Sequence, residues 1–174
     1  MLGADVFKRG MRRLAAGVSV ITTELDGNRY GLVATSVTSV SVDPPSLLIC
    51  VNRTATSHDA IEKAGIFCVN LLGEGDEGIA KRFASPRYRD IRFSHRKWET
   101  LVTGAPALVG SLASFDCRVT KSVPVATHTI FIAEVAAAEL WQKDVVPLVY
   151  VDGQFRLAAT PVGEPMPAFD PGWG

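Results

Sequence analysis

Apolar residues near the start of the chain recur at helical spacing. Val6, Met11, Leu14 and Ala15, set among basic residues, predict a short amphipathic helix over Asp5 to Ala16. Gly17 ends that pattern and Val18 to Thr23 reads as a strand. It is followed by Asp26-Gly27, a dipeptide suited to the positive backbone angles of a tight hairpin. A further strand begins near Tyr30. From Gly31 to Val42 (GLVATSVTSVSV) small hydroxylated residues alternate with apolar ones and no charge intervenes, which predicts one strand with an apolar face and a hydroxyl face. Asp43-Pro44-Pro45 must turn, because consecutive prolines remove two backbone donors, and SLLICVN then returns as a core strand.

Thr56 followed by Asp59 gives a capping-box-like start to a short helix that Gly65 closes. Ile66 to Leu72 is a strand, and Glu77 to Ala84 a helix with Ile79 and Phe83 on one face. An irregular basic segment then runs to Trp98. Three more strand regions follow, Ser111 to Val123, His128 to Leu140 and Pro147 to Leu157, the last broken by a second hairpin at Asp152-Gly153. Six or seven short strands with two or three helices predict a mainly β, antiparallel, Greek-key-like barrel. This domain covers residues 1–158, and residues 159–174, rich in proline and glycine, form a tail expected to lie as an extended arm or to remain mobile.

Composition narrows the function. The chain has 174 residues, with 18 Lys plus Arg balanced by 18 Asp plus Glu. No long-range field of the kind nucleic-acid binders carry is expected, so any anion site must be local. No run of about eighteen apolar residues exists, so no membrane span is expected, and Lys8 to Ile21 is too interrupted for a signal peptide. Cys50, Cys68 and Cys117 form no CxxC pair and sit in apolar runs, which suits reduced thiols in the cytoplasm.

Four places carry candidate chemistry. Thr35, Ser36, Thr38, Ser39 and Ser41 line a strand able to meet the edge of a flat heteroaromatic ligand, or simply solvent. Thr56 and Ser57 open a helix whose free amides, with Arg53 nearby, suit a phosphate or serve plain capping. Seven basic residues between Lys81 and Lys97, interleaved with Phe83, Tyr88 and Phe93, suit single-stranded nucleic acid, a pyrophosphate or another subunit. His128 begins a strand, either as a structural residue or within reach of a ligand. His58, His95 and His128 lie far apart with no second ligand expected three or four residues away, so no metal site is predicted. The absence of GxGxxG, GxxxxGK[ST] and GxSxG leaves Rossmann, P-loop and acyl-transfer sites without support.

The ordered blocks GVSVITT, YGLVATSVTSVSVDPPSLLICVNRTATSHDAI, IFCVNLL, AKRFA, GAPALVGSLASFDCRV, THTIFIAEV and PLVYVDGQFRL resemble the flavin reductase-like family over about residues 5 to 158. The resemblance implies an FMN-binding split β-barrel, a homodimer with flavin near the subunit interface, and transfer of hydride from NADH or NADPH to FMN or FAD. It implies a flavin-dependent monooxygenase as the partner that receives reduced flavin. A tightly bound FMN that reduces another substrate, or a flavin-binding module without catalysis, are the alternatives. By resemblance, Ala34, Thr35, Ser36, Val37, Ser39 and Val40 contact the flavin ring and ribityl chain. Asn52, Thr56 and Ser57 approach the ribityl phosphate, Phe83 lies against the flavin and Arg82 partners the phosphate. His128 matches the histidine of a Gly-Asp-His motif tied to nicotinamide binding and hydride transfer, which here reads Ala126-Thr127-His128, and Tyr150 falls on the nicotinamide side.

Overall fold

The computed structural model describes residues 2–159, and the predicted arm beyond them lies outside the described residues. The order is α1 (Ala4–Met11), β1 (Ala16–Gly17), β2 (Ser19–Leu25), β3 (Asn28–Ala34), β4 (Val37–Val42), β5 (Pro45–Asn52), α2 (Thr56–Ala64) and β6 (Ile66–Leu71). Then come α3 (Glu77–Ala84), β7 (Trp98–Thr100), β8 (Pro106–Leu108), β9 (Ala113–Val125), β10 (His128–Leu140), β11 (Leu148–Val151) and β12 (Gln154–Leu157).

Seven strands form one antiparallel sheet in the order β3-β2-β6-β9-β10-β5-β4, so β3 and β4, consecutive in the chain, lie at opposite edges. Six spacings of a flat sheet would hold those edges about 29 Å apart. The three Cα steps from Ala34 to Val37 reach at most about 11 Å. The sheet must therefore curl until its edges meet at this link, with the seam left unpaired. This corrects the expectation of a single strand over Gly31 to Val42: the chain leaves one edge at Thr35-Ser36 and joins the other. Ser36 fixes the crossing, its hydroxyl donating to the Cys50 carbonyl at 2.9 Å while the Cys50 amide donates to the Ser36 carbonyl at 3.3 Å. The alternation also slips between Ser39 and Ser41, where a bulge leaves Val40 half exposed.

Strand β2 is buried on both faces, which explains its unbroken run of buried residues. Ile21 joins the barrel interior with Leu47, Ile49, Phe67, Val69 and Phe131, and α2 adds Ile61 to that cluster. Val18 and Val20 face a second cluster under α3, with Ile79, Phe83, Leu108 and Leu148. Gly31 is needed there, since a Cβ would stand 2.5 Å from the Phe83 ring and 3.0 Å from the Ile21 carbonyl oxygen.

The hairpin turns hold as expected. Asp26 and Gly27 take φ of 52° and 76°, and Asp152 and Gly153 take 51° and 81°, the paired positive angles of a type I′ turn. Helix α1 ends earlier than its periodicity suggested, because the Arg12 carbonyl accepts from the Asp152 amide at 2.6 Å. Ala16-Gly17 then pairs with β11 as β1. The capping box at Thr56 does not form: the N-cap is Ala55, which has no side-chain acceptor, and the Asp59 carboxylate turns to His58 instead. Gly65 closes α2 at φ 66° as expected. The β7–β8 hairpin went unread in the sequence because its strands have only three residues each.

Asn70 is the polar pin of the core. Its Nδ2 donates to the Val20 carbonyl at 3.0 Å and to Thr22 Oγ1 at 3.2 Å, and its Oδ1 accepts from the Leu108 amide at 2.7 Å and Ser114 Oγ at 2.8 Å. One buried side chain thus ties β2, β6, β8 and β9 together. Asn70→Ala strands several buried partners and should cost more than about 2 kcal/mol in denaturant unfolding. A loss under about 0.5 kcal/mol would show that the site rehydrates freely.

Candidate functional site

Ala34, Thr35, Val37, Ser39, Asn52, Thr56 and Tyr150 line four clefts around the seam and the hairpin ends, whereas Ser36, Val40, Arg82 and His128 line none of them. At the seam, Ala34 and Thr35 line a cleft of about 280 Å³ with Val18, Val33, Tyr150 and Phe155. Tyr150 and Phe155, both lining this cleft, pack on each other at an angle with 5.5 Å between ring centres. The structure thus brings the flavin-side residues Ala34 and Thr35 together with the nicotinamide-side Tyr150. Across the seam, Val37 and Ser39 line an apolar cleft of about 600 Å³ with Leu47, Leu71, Phe115 and Val135.

Asn52 and His128 are register partners of β5 and β10 and both are exposed. The His128 ring is held by Thr127 Oγ1, 2.9 Å from Nδ1. Asn52 Oδ1 accepts from the Thr54 amide and hydroxyl at 2.9 Å each, so its carboxamide nitrogen is the end that remains for a ligand. Asn52 also borders a cleft of about 570 Å³ with Arg53, His58, Glu62, Thr127 and Thr129.

Thr56 lines a fourth cleft, of about 500 Å³, with Arg29, Tyr30, Arg89, Arg92 and Phe93. Arg29 and Tyr30 carried no assignment in the sequence because nothing local links a hairpin to a segment sixty residues later. Ser57 and Phe83 border none of these four clefts. Ser57 is 1% exposed, and Phe83, 4% exposed, lies edge-on to Phe93 at 5.2 Å and tilted on Trp98 at 5.7 Å. The Phe83 ring, expected from the resemblance to lie against the flavin, is thus packed into the core beside Phe93 and Trp98. Arg82 is half-buried, its guanidinium 5.6 Å from the Tyr88 ring centre.

The basic segment is mostly committed to structure. Lys81 pairs with Glu77, Arg96 with the buried Asp76, and Lys97 with Glu99, each at 2.6 Å. Arg92 is 8% exposed.

Glu62 stands one helical turn after His58, a spacing the sequence reading passed over. His58 Nδ1 and the Asp59 and Glu62 carboxylates gather within 4.8 Å. Both ring nitrogens are already engaged, Nδ1 with Asp59 at 2.9 Å and Nε2 with the buried Thr129 hydroxyl at 2.8 Å, so the group reads as a structural tie. The hydrogen bond from His58 holds the Asp59 carboxyl below its usual range. Burial, with the nearby Asp116 charge, pushes the Cys68 and Cys117 thiols up, which leaves both inert.

Comparison with known proteins gives the family and the fold. The flavin reductase like domain family matches residues 11–159. FMN reductase (NADH) RutF of Ancylobacter novellus is 36% identical over 164 residues, covering 93% of this chain and 90% of its own length. BorF, the flavin reductase component of a bacterial two-component tryptophan halogenase, superposes with a TM-score of 0.83 at 31% identity, covering 91% of this chain and all of that one. The NADH:FAD oxidoreductase SgcE6 of Streptomyces globisporus C-1027, solved with NAD and FAD fragments, superposes with a TM-score of 0.80 at 30% identity and 96% coverage of both chains.

The β9–β10 turn explains how Ala126-Thr127 replaces Gly-Asp. Ala126 takes φ 48°, a positive angle at the first of two central residues, where a type II′ turn favours glycine. Ala126 thus holds a backbone angle that a side chain adopts only at a cost in strain. Ala126→Gly should raise stability in chemical denaturation by a few tenths to about 1 kcal/mol, relief of strain outweighing added chain entropy. A loss of stability would mean that Ala126 is unstrained.

Proposed function

The chain belongs to the flavin reductase-like family, and from that premise we propose that it is an NADH:flavin oxidoreductase whose reduced FMN or FAD passes to a separate flavin-dependent monooxygenase. The observation that carries this reading is the seam, where uncharged, small residues Ala34 and Thr35 share a cleft with an aromatic side chain, Tyr150. Backbone and hydroxyl groups at an unpaired strand junction fit the edge of a planar heteroaromatic ring, and the apolar walls fit its faces. The named activities of the relatives support NADH as donor, and FMN and FAD as acceptors. NADPH serves as donor only if a basic side chain meets its 2′-phosphate.

Flavin and nicotinamide supply the redox chemistry when bound, a hydride passing from nicotinamide C4 to flavin N5. The protein's own residues position. Ser36 holds the seam open through Cys50, and Thr35, Val37 and Ser39 frame the two sides of the junction. Val40 lies beside them on the bulged edge, and the Asn52 carboxamide and the start of α2 face the phosphate end. His128, its ring steadied by Thr127, orients the nicotinamide. Ser57 and Phe83 act from beneath, the first under the start of α2 and the second under Gly31. Arg82 adds positive charge beside the phosphate path.

A homodimer completes this site. The apolar cleft along the edge strand β4, with Val40 and Val42 half exposed and no charge on the strand, is the surface we assign to the second copy. The unpaired thiols of Cys50, Cys68 and Cys117 suit a reducing cytoplasm.

NADH oxidation followed by absorbance should require added flavin. His128→Ala should lower kcat/KM for NADH by about tenfold or more while flavin Kd changes far less. Equal losses in both would make His128 a general support of the pocket, and flavin-independent oxidation would remove the reductase reading.

A further inference from the structure

The hairpin that carries His128 outlasts the sheet beside it. Strands β9 and β10 run for 13 residues each, whereas β6 accompanies β9 only as far as Ile66 opposite Arg118. The Val119 amide makes one more bond on that side, to the Gly65 carbonyl at 2.9 Å. Beyond it, among the described residues, β9 has no strand beside it but β10. Residues 120–128 are exposed apart from the half-buried Val123. A two-stranded ribbon without a packed face is marginal by itself and opens locally. The hold on this one comes from β5, with Asn52 opposite His128 and Val51 opposite Thr129, and from the Arg53 amide, which donates to the Thr127 carbonyl at 3.0 Å.

Thr129 is where the ribbon takes root. It is 1% exposed, and its hydroxyl lies 2.8 Å from Nε2 of His58 on α2, 71 residues away in sequence. Two positions further along the same face of β10, the Phe131 ring centre lies 5.5 Å from that of the imidazole. The buried imidazole is fixed from its own side as well. Its Nδ1 donates to the Asp59 carboxylate at 2.9 Å, and the His58 amide donates to the Ala55 carbonyl at 2.9 Å. With the ring neutral, Nε2 is then left to accept from the Thr129 hydroxyl, so donors and acceptors match along the chain. A cleft of about 570 Å³ lies between Arg53 and Glu62 on the α2 side and Pro124 and Thr127 on the hairpin side, with His58 and Thr129 as its buried floor. His58 therefore braces the hairpin at its base. The alternation that turns Thr129 inward turns His128 outward, so the brace reaches His128 through the backbone, one residue away.

We propose that His58, acting through Thr129, is a positioning residue for His128: it fixes the height at which the hairpin presents that imidazole to the nicotinamide. Naming the nicotinamide rests on the reductase reading, whereas the brace itself does not. Where two rings must meet in a near-attack arrangement, a displacement of about 1 Å from a remote support can cost about a hundredfold in rate.

Thr129→Val removes the hydroxyl and keeps the branched shape, and Thr129→Ser keeps the hydroxyl. Amide hydrogen exchange over residues 120–128 should run about tenfold faster in Thr129→Val, with β2 and β6 at wild-type rates and Thr129→Ser close to wild type throughout. In NADH oxidation at saturating flavin, Thr129→Val should lower kcat/KM for NADH about tenfold, flavin Kd should stay within about twofold, and Thr129→Ser should restore the rate. His58→Phe, which fills the same place without ring nitrogens, should repeat this hairpin-confined pattern. In a His128→Ala background, Thr129→Val should cost less than about twofold more, because the residue it positions is gone. Full multiplication of the two losses, or equal losses in NADH turnover and flavin binding, would make the contact a general support of the fold and overturn the assignment. Unchanged hairpin exchange in Thr129→Val would overturn it too. If the wild type turns over no flavin, faster hairpin exchange in Thr129→Val with rescue by Thr129→Ser would keep the brace and remove the reductase reading.

Discussion

Two residues, Thr35 and Ser36, join strands at opposite edges of a seven-stranded sheet, and this short tether governs the rest of the molecule. A link of that length forbids a flat sheet, so the sheet rolls until its edges face each other. The roll creates a closed apolar interior around Ile21, Ile49, Phe67 and Phe131. It also creates a seam that is unpaired yet narrow. A fully paired barrel would have no such gap, and an open sheet would have no shaped one. The hydroxyl-rich segment VATSVTSVS is the place where the backbone must break its own ladder.

Local patterns were readable wherever local physics decides the outcome. Helix α3 and strand β10 begin and end where the hydrophobic period and the flanking residues put them, and both Asp-Gly turns take the angles that dipeptide favours. Partner choice decides the rest. The alternation from Gly31 to Val42 is continuous in sequence, and only the pairing of β3 with β2 and of β4 with β5 splits it. Thr56 followed by Asp59 carries the letters of a capping box, but the buried imidazole of His58 claims the carboxylate.

The site shows the same division. Ala34, Thr35 and Tyr150 meet in one cleft, although β3 and β11 are far apart in sequence. Phe83 and Ser57 carry the right letters but spend their surface on packing, and Arg29 joins a cleft with Arg89 and Arg92 that no sequence pattern connects. A cluster of seven basic residues resolves into three surface or buried ion pairs, one buried guanidinium and a few free ones once geometry is known. Charge counted along a chain overstates the charge that a partner can reach.

Because the protein's contribution is position, its central claim concerns where the electrons go after the first turnover. Anaerobic stopped-flow at about 450 nm, with NADH and a large excess of free FMN over protein, measures this directly, since oxidised flavin absorbs there and reduced flavin does not. The account predicts bleaching of the whole flavin pool over many turnovers. Bleaching of a single protein-bound equivalent, with the free pool left yellow, would contradict it.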